Sequence, residues 1–364
     1  MKPLQFRSEP ATRLKVGLIG CGRIAQAVHL ETLRRLPGVE LTAHADPDPQ
    51  RREEVSRRVP ASRPYAGFED LLDSKDLHAV VICAPTALHA KIATHALERG
   101  RHIYLEKPLA TTLAEADVIL KAWRASGVVG MIGLNSRFLS LYPAARQALA
   151  AGHIGDLVCA RTALTTPLRD LSAWRQRRDT GGGVLLDLAV HHFDLVRFLF
   201  GQEVREVFAN LHSRRSQDDL AMVHLVLENG IPVQSTFTYG TVAEDRFEIY
   251  GQEGALLVDR HRSLTVEIRR RVAPPSRVEW LRRGWRALPG IHAWGQKLLA
   301  PTRDPSYEAA LAAFVCAARA GRPVSPDLWD GYQSLAIASA AEQSASTKCP
   351  ASLERLSSED LTRH

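Results

Sequence analysis

The chain has 364 residues, 45% hydrophobic and 24% charged, with a net charge of +7, the balance of an ordinary globular protein long enough for two domains. No apolar run reaches the roughly 18 residues of a membrane-spanning helix, Met1–Arg13 lacks the apolar core of a signal peptide, and the five cysteines form no CxxC pair. These features exclude a membrane span, an export signal and a disulfide or zinc scaffold as expectations and point to a cytoplasmic protein.

Residues 1–13 read as an exposed arm, after which the chain alternates between strand and helix. Leu14–Ile19 is a short apolar strand ending in glycine, and Ile24, Val28, Leu33 and Leu36 give helical spacing over 23–36. Val39–Ala45 is a second strand that ends at Asp46. Val80, Val81 and Ile82 form the continuous apolar run of a strand buried on both faces. A helix over 87–99 stops near Gly100, and His102–Leu105 is another strand. Thr112 and Glu115 make a capping box for a helix to Ala125, and Val128–Leu134 returns to strand. This alternation predicts a doubly wound parallel sheet over 14–134.

The turn after the first strand, Gly20-Cys21-Gly22-Arg23-Ile24-Ala25, is a GxGxxA fingerprint. Its glycines permit a tight turn and let backbone approach a pyrophosphate at the helix N-terminus. Asp46 closes the second strand 21 residues after Ala25, where the motif requires an acid. Its carboxylate would accept from ribose hydroxyls and repel a 2′-phosphate, which favours NAD over NADP. Arg51 and Arg52 are close enough in sequence to leave NADP open.

After Asn135 the pattern changes. A helix over 142–151 ends near Gly152, and Asp156–Thr165 is a strand. Strand-like runs follow Gly201 at 203–211, 221–228, 231–239, 244–250 and 254–258, with an Asn229-Gly230 hairpin signal between two of them. Consecutive strands with short turns predict antiparallel pairing, so 135–353 is expected to be an α+β domain. Two closing helices, 305–320 and 327–345, flank Gly321-Arg322-Pro323, and 354–364 is a tail.

Between these parts lies Gly181-Gly182-Gly183, followed by an apolar helix that stops at Gly201. Asp187, His191 and Asp194 fall within roughly 60° of one another on a regular α-helix, and His192 points about 140° from Asp187. A histidine with an ordinary pKa near ~6.5 can take a proton from a secondary alcohol. Asp187 would orient that imidazole or bind a hydroxyl. Asp194 would bind a hydroxyl or anchor the helix, and His192 reads as a core or interdomain histidine. Asp and His at this spacing can share an ion, but no third ligand stands out, so no metal is expected.

Four segments together carry a resemblance: the fingerprint, Ile82-Cys83-Ala84-Pro85-Thr86-Ala87-Leu88-His89, Glu106-Lys107-Pro108-Leu109-Ala110, and the glycine triad with Asp187 and His191. They resemble the Gfo/Idh/MocA family over about Leu14 to Leu353, with Glu-Lys-Pro the most specific element. The resemblance implies a nicotinamide-dependent dehydrogenase of a sugar or cyclitol. It also implies an N-terminal Rossmann domain followed by a domain built on a large, open, mostly antiparallel sheet. The family's catalytic lysine falls on Lys107 and its aspartate–histidine pair on Asp187 and His191. Cofactor contacts fall on Gly20, Gly22, Arg23, Ile24, Asp46, Pro85, Thr86, His89 and Glu106, with Glu106 matching a residue that holds the nicotinamide ribose, although the family more often has asparagine at the position of Thr86. Lys107 follows a strand end, where ligands of open α/β sheets bind, and Pro108 biases its backbone to an extended form. Its ammonium would stabilise an alkoxide. In the family the bond before this proline is often cis. Two other activities known in the family stay open: redox-assisted glycoside hydrolysis, and cofactor sensing without catalysis.

Two basic regions remain. Residues 169–179 carry Trp174 and several arginines just before the glycine triad. They read either as a solvated loop or as a site for an anionic sugar. Arg137, Trp174, Arg175 and Asp194 are the substrate-side candidates. Residues 269–303 read as an insertion, with an apolar stripe of Val278, Leu281, Trp285 and Leu288 beside arginines. A subunit contact or a lid is expected there, with a membrane-surface helix as the alternative; no nucleic-acid or membrane partner is expected for the protein. The expected assembly is a homo-oligomer, a dimer or tetramer.

Overall fold

The structure is a computed structural model that describes residues 13–168, 172–270 and 304–353. The arm before Arg13, residues 169–171, the apolar stripe of the insertion and the tail lie outside the described residues. The chain divides into two compact units. One comprises the chain up to Leu109, Ala114–Gly133 and Tyr307–Leu328. The other comprises Ala110–Leu113, Leu134–Ser306 and the chain from Trp329.

The first unit is a six-stranded, wholly parallel sheet in the order β3-β2-β1-β4-β5-β6. Its strands are β1 (Leu14–Ile19), β2 (Val39–Ala45), β3 (Arg63–Tyr65), β4 (Ala79–Ile82), β5 (His102–Leu105) and β6 (Gly130–Ile132). Every residue of β4 is buried, as its continuous apolar run demands. The helices are α1 (Leu30–Arg35), α2 (Pro49–Arg58), α3 (Phe68–Leu72), α4 (His89–Glu98) and α5 (Leu113–Ser126). Before α1 the chain winds through a π-helical turn, Ala25–His29.

Periodicity gave no element between Asp46 and His78, yet α2, β3 and α3 lie there. Among the residues of α2 only Val55 is buried, so no apolar stripe marks it. Local chemistry forms it instead: Asp48 caps the Gln50 amide at 2.9 Å, and Pro49 occupies the first turn.

The second unit holds an eight-stranded sheet in the order β13-β12-β11-β7-β10-β9-β8-β14. Its strands are β7 (Leu157–Thr166), β8 (Val204–His212), β9 (Leu220–Leu227), β10 (Pro232–Tyr239), β11 (Glu244–Gly251), β12 (Gly254–Asp259), β13 (Glu267–Arg270) and β14 (Ala351–Ser352). Its pairs are antiparallel except β7–β10, which runs parallel from Val233↔Ala160 to Tyr239↔Thr166. The expected hairpin forms at Asn229-Gly230, with Gly230 at φ 85° and its amide donating to Leu227 O.

Helices α6 (Leu141–Ala150) and α7 (Val190–Phe200) pack together, and a π-helical turn, Leu185–Ala189, leads into α7 against β7 and β10. One face of β10 buries Val233, Ser235 and Phe237; the opposite face of the sheet carries exposed Phe208 and Met222. After the insertion, α8 (Pro305–Ala320) returns chain to the first unit, where Phe314 meets Tyr104 edge-on at 5.8 Å. A final helix, α9 (Leu328–Thr347), precedes β14.

Candidate active site

In the first unit the fingerprint is held by close backbone contacts. Gly20 has φ +86°, and a Cβ there would lie 2.7 Å from the Cys83–Ala84 backbone, so only glycine fits. Gly22 differs: its Cβ would meet nothing closer than Arg51 Nη1 at 3.9 Å, which leaves the backbone open to a ligand. Asp46, 5% exposed, accepts from the Cys21 amide at 2.8 Å and the Asp48 amide at 2.9 Å. Both carboxylate oxygens are thus fixed, and each retains a lone pair for a hydroxyl.

Arg52 donates to the carbonyls of Asp46 and Pro47, whereas exposed Arg51 lies 3.9 Å from Asp46 and 3.4 Å from Asp48. Arg23 is exposed and Ile24 half-buried. Burial and the nearby Asp46 carboxylate push the Cys21 thiol up to about 12, and burial raises Cys83 as well, so neither is a reactive thiolate.

After β4, exposed Pro85 precedes a short 3₁₀ turn, Thr86–Leu88, in which Thr86 is buried. The buried His89 ring lies with Nδ1 2.8 Å from Pro108 O and Nε2 3.0 Å from Ala84 O. Burial holds its pKa below the ordinary value. The ring therefore braces the loops after β4 and β5, rather than presenting a free imidazole. Glu106 follows β5 directly and is 8% exposed. Lys107 is half-buried, and the Lys107–Pro108 bond is cis.

In the second unit the glycine triad is a backbone junction. A Cβ on Gly182 would stand 2.2 Å from Arg175 O, and the Gly182 amide donates to Arg177 O at 2.8 Å. Gly181 and Gly183 take φ of 100° and 83°. The Val184 amide then donates to Asp218 O at 2.9 Å, fixing the start of the helix. Asp187 is half-buried within the π turn and accepts from the Tyr239 hydroxyl at 3.0 Å. His191 is half-buried in the first turn of α7. His192 is buried against Phe247 and Phe237 and donates from Nε2 to Asp245 at 3.1 Å.

Arg137 and Asp194 are brought to each other. The Arg137 Nε donates to Asp194 Oδ2 at 2.8 Å, and its Nη2 also reaches Asp330 Oδ1 at 2.9 Å. Arg197 joins Asp330 at 3.1 Å and Glu203 at 2.5 Å. Burial pushes the Asp194 carboxyl up to about 6 against the pull of Arg137, while Asp330 is held below the usual carboxylate range by Arg137 and Arg197, which outweigh its burial.

Trp174 and Arg175 are half-buried, with the guanidinium 5.0 Å from the indole ring. Arg177 pairs with Asp179, and Arg178 binds Glu342 and Thr111 O. Among the described residues no three His, Cys, Asp or Glu side chains gather in a way that would hold a metal ion. No described helix is long and apolar enough to cross a membrane.

Residues 14–134 match the description of an oxidoreductase family with an NAD-binding Rossmann fold, and residues 142–257 match the GFO/IDH/MocA C-terminal domain. The 1,5-anhydro-D-fructose reductase of Ensifer adhaerens is 30% identical over 346 residues, which is 93% of this chain and 98% of the relative. The chain belongs to the Gfo/Idh/MocA oxidoreductase family. The myo-inositol 2-dehydrogenase of Thermotoga maritima is 26% identical to this family member over 358 residues, 94% of this chain and 99% of that one. A levoglucosan dehydrogenase in complex with NADH superposes with a TM-score of 0.77 at 25% identity, covering 94% of this chain and 100% of that one. The WlbA dehydrogenase of Bordetella pertussis, in complex with NADH and UDP-GlcNAcA, shares the fold with a TM-score of 0.82 at 22% identity, covering 95% and 99%.

Four side chains of this Gfo/Idh/MocA chain hold the candidates in place and fall outside every motif of the sequence: His29, Tyr239, Arg197 and Asp330. One signal was present, because Arg197 interrupts an apolar helix and a buried cation needs a partner. Tyr239 and Asp330 offer no such signal, since their partners come from distant segments.

Proposed function

We propose that this Gfo/Idh/MocA member is an NAD-dependent dehydrogenase acting on a secondary hydroxyl of a sugar, cyclitol or sugar derivative. The observation that carries the reading is the Asp187 carboxylate tied to Tyr239, with half-buried His191 beginning the next helix, in a segment otherwise buried. A pure cofactor-binding protein needs no acid–base pair there. The relatives named for inositol, anhydrofructose and levoglucosan support the substrate class.

The cofactor half fits a dinucleotide, because backbone at Gly22 is open and the Asp46 carboxylate is fixed with lone pairs to spare. Gly20, Gly22, Arg23, Ile24, Asp46, Pro85, Thr86 and Glu106 would hold it, and His89 would shape its loop. Arg52 is engaged by carbonyls, so Asp46 favours NAD, with Arg51 the nearest cation to offset it. When bound, NAD supplies the hydride acceptor.

His191 takes the hydroxyl proton as general base, and Asp187 orients its imidazole. The Lys107 ammonium stabilises a developing alkoxide, or relays the proton itself. Arg137 and Asp194 anchor the helix, and Trp174 and Arg175 remain the substrate-side pair.

A panel of sugars and cyclitols with NAD and NADP, following cofactor absorbance and products together, tests the reading. Product release without reduced cofactor would remove it. Lys107→Ala should lower turnover by about 10²- to 10⁴-fold and change the NADH dissociation constant by less than about threefold. Near-normal turnover would take Lys107 out of the mechanism.

A further inference from the structure

His29 ends the π turn after the fingerprint and is fully buried, yet no step above uses it. Its Nε2 lies 2.6 Å from Glu106 Oε1, a partner 77 residues away. Burial alone would raise the Glu106 carboxyl. The hydrogen bond and charge of His29, with Lys107 and His89 nearby, outweigh that and hold it below the ordinary value. Glu106 is therefore a carboxylate, and His29 is the donor.

The imidazole is caged. The rings of Tyr104 and Tyr307 meet it edge-on at 5.6 and 5.9 Å. Gly133 also packs on Glu106: a Cβ there would press on Oε2 at 3.2 Å and on Cα and Cδ at 3.3 Å. Glu106 also fixes its own amide to Ile82 O at 3.0 Å. Backbone, glycine and histidine thus hold one rotamer. In it Oε1 is engaged, and Oε2 makes no hydrogen bond among the described residues.

An ionised oxygen with open lone pairs, just past a β5 carboxyl end, suits a hydroxyl donor of a ligand bound at that edge of the sheet. We propose that His29 is a positioning residue for the cofactor: its Nε2 fixes the rotamer of Glu106, which the family resemblance places at the nicotinamide ribose, so that Oε2 is presented to a ribose hydroxyl. This rests on the reading of the first unit as the cofactor half.

The test is titration of NADH and of ADP, which lacks the second ribose, against the full chain without substrate. His29→Leu should weaken NADH by about tenfold and leave ADP unchanged, the loss expected for one hydrogen bond to a charged group. His29→Gln, whose amide reaches the Nε2 position, should restore most of the affinity. Glu106→Gln should weaken NADH similarly, and the double variant should be no weaker than Glu106→Gln alone. Equal loss of NADH and ADP in His29→Leu would make the pair a fold brace and overturn the proposal. If His29→Leu does not fold, His29→Gln and His29→Asn decide: equal NADH affinities in the two would overturn it. Glu106→Gln with unchanged NADH affinity would remove the reading of Glu106 itself. Loss in Glu106→Gln without loss in His29→Leu would remove only the role of His29.

Discussion

The Tyr239 hydroxyl reaches Asp187 from β10, 52 residues along the chain. It supplies a donor to a carboxylate held in a half-buried turn. Tyr239→Phe should lower kcat by about tenfold through a less ordered Asp187, while stability falls by only about 1 kcal/mol. Steady-state kinetics beside urea unfolding checks this, and unchanged kcat would confine Tyr239 to packing. The adjacent histidines illustrate how much a single residue position reveals. Both interrupt an apolar helix, so both were conspicuous in the sequence, and the helical period put them on different faces. The separation holds in the structure: His192 is buried with Asp245, and His191 is half-buried. The donor to Asp187 was not legible, because a tyrosine near a strand end is an ordinary residue until the sheet brings it to its partner.

At the scale of elements, the glycine triad serves the backbone junction between residues 175–177 and the start of the helix. Gly182→Ala would drive a Cβ into the Arg175 carbonyl, where no side-chain rotamer can relieve it. It should cost about 1–3 kcal/mol, as overpacking does, and expose the loop to trypsin at Arg175 and Arg177. Denaturant midpoints and cleavage rates equal to the parent would contradict that contact. A uniform α-helix also misjudges this stretch. Leu185–Ala189 is π-wound, which changes the angle per residue, so Asp187 does not share one α-helical register with His191 and Asp194. Asp194 instead faces Arg137 at 2.8 Å, a contact set by packing of α7 against the segment before α6.

At the scale of the molecule, buried charge ties the second unit together. Asp245 on β11 accepts from Tyr142 of α6 at 2.8 Å, His192 of α7 at 3.1 Å and Arg260 beyond β12 at 3.2 Å. Burial alone would raise its carboxyl, but His192, Arg260 and Tyr142 hold it far below the ordinary range. A depressed carboxyl stabilises the fold above its unfolded pKa of about 3.9, and that stability is lost as pH falls toward the folded value. Asp245→Ala should therefore cost about 3–5 kcal/mol at neutral pH. The gap from the parent should narrow below about pH 4. Urea unfolding across pH measures it, and a gap independent of pH would exclude the ionised network as its cause.

The alternation of apolar strands and helices, the fingerprint with Asp46, and the Asn229-Gly230 hairpin follow from residues near one another in the chain. For this reason the sequence alone determined the parallel sheet, most element boundaries and the chemical types available to the site. Other features needed distant segments to meet. These include the β7–β10 parallel pair, the return of α8 to the first unit, and the partners of Asp187, Asp194, Glu106 and Asp245. Those choices belonged to the tertiary structure, because a buried charge is satisfied by whichever side chain packing brings within hydrogen-bond reach, not by one at a fixed spacing along the chain.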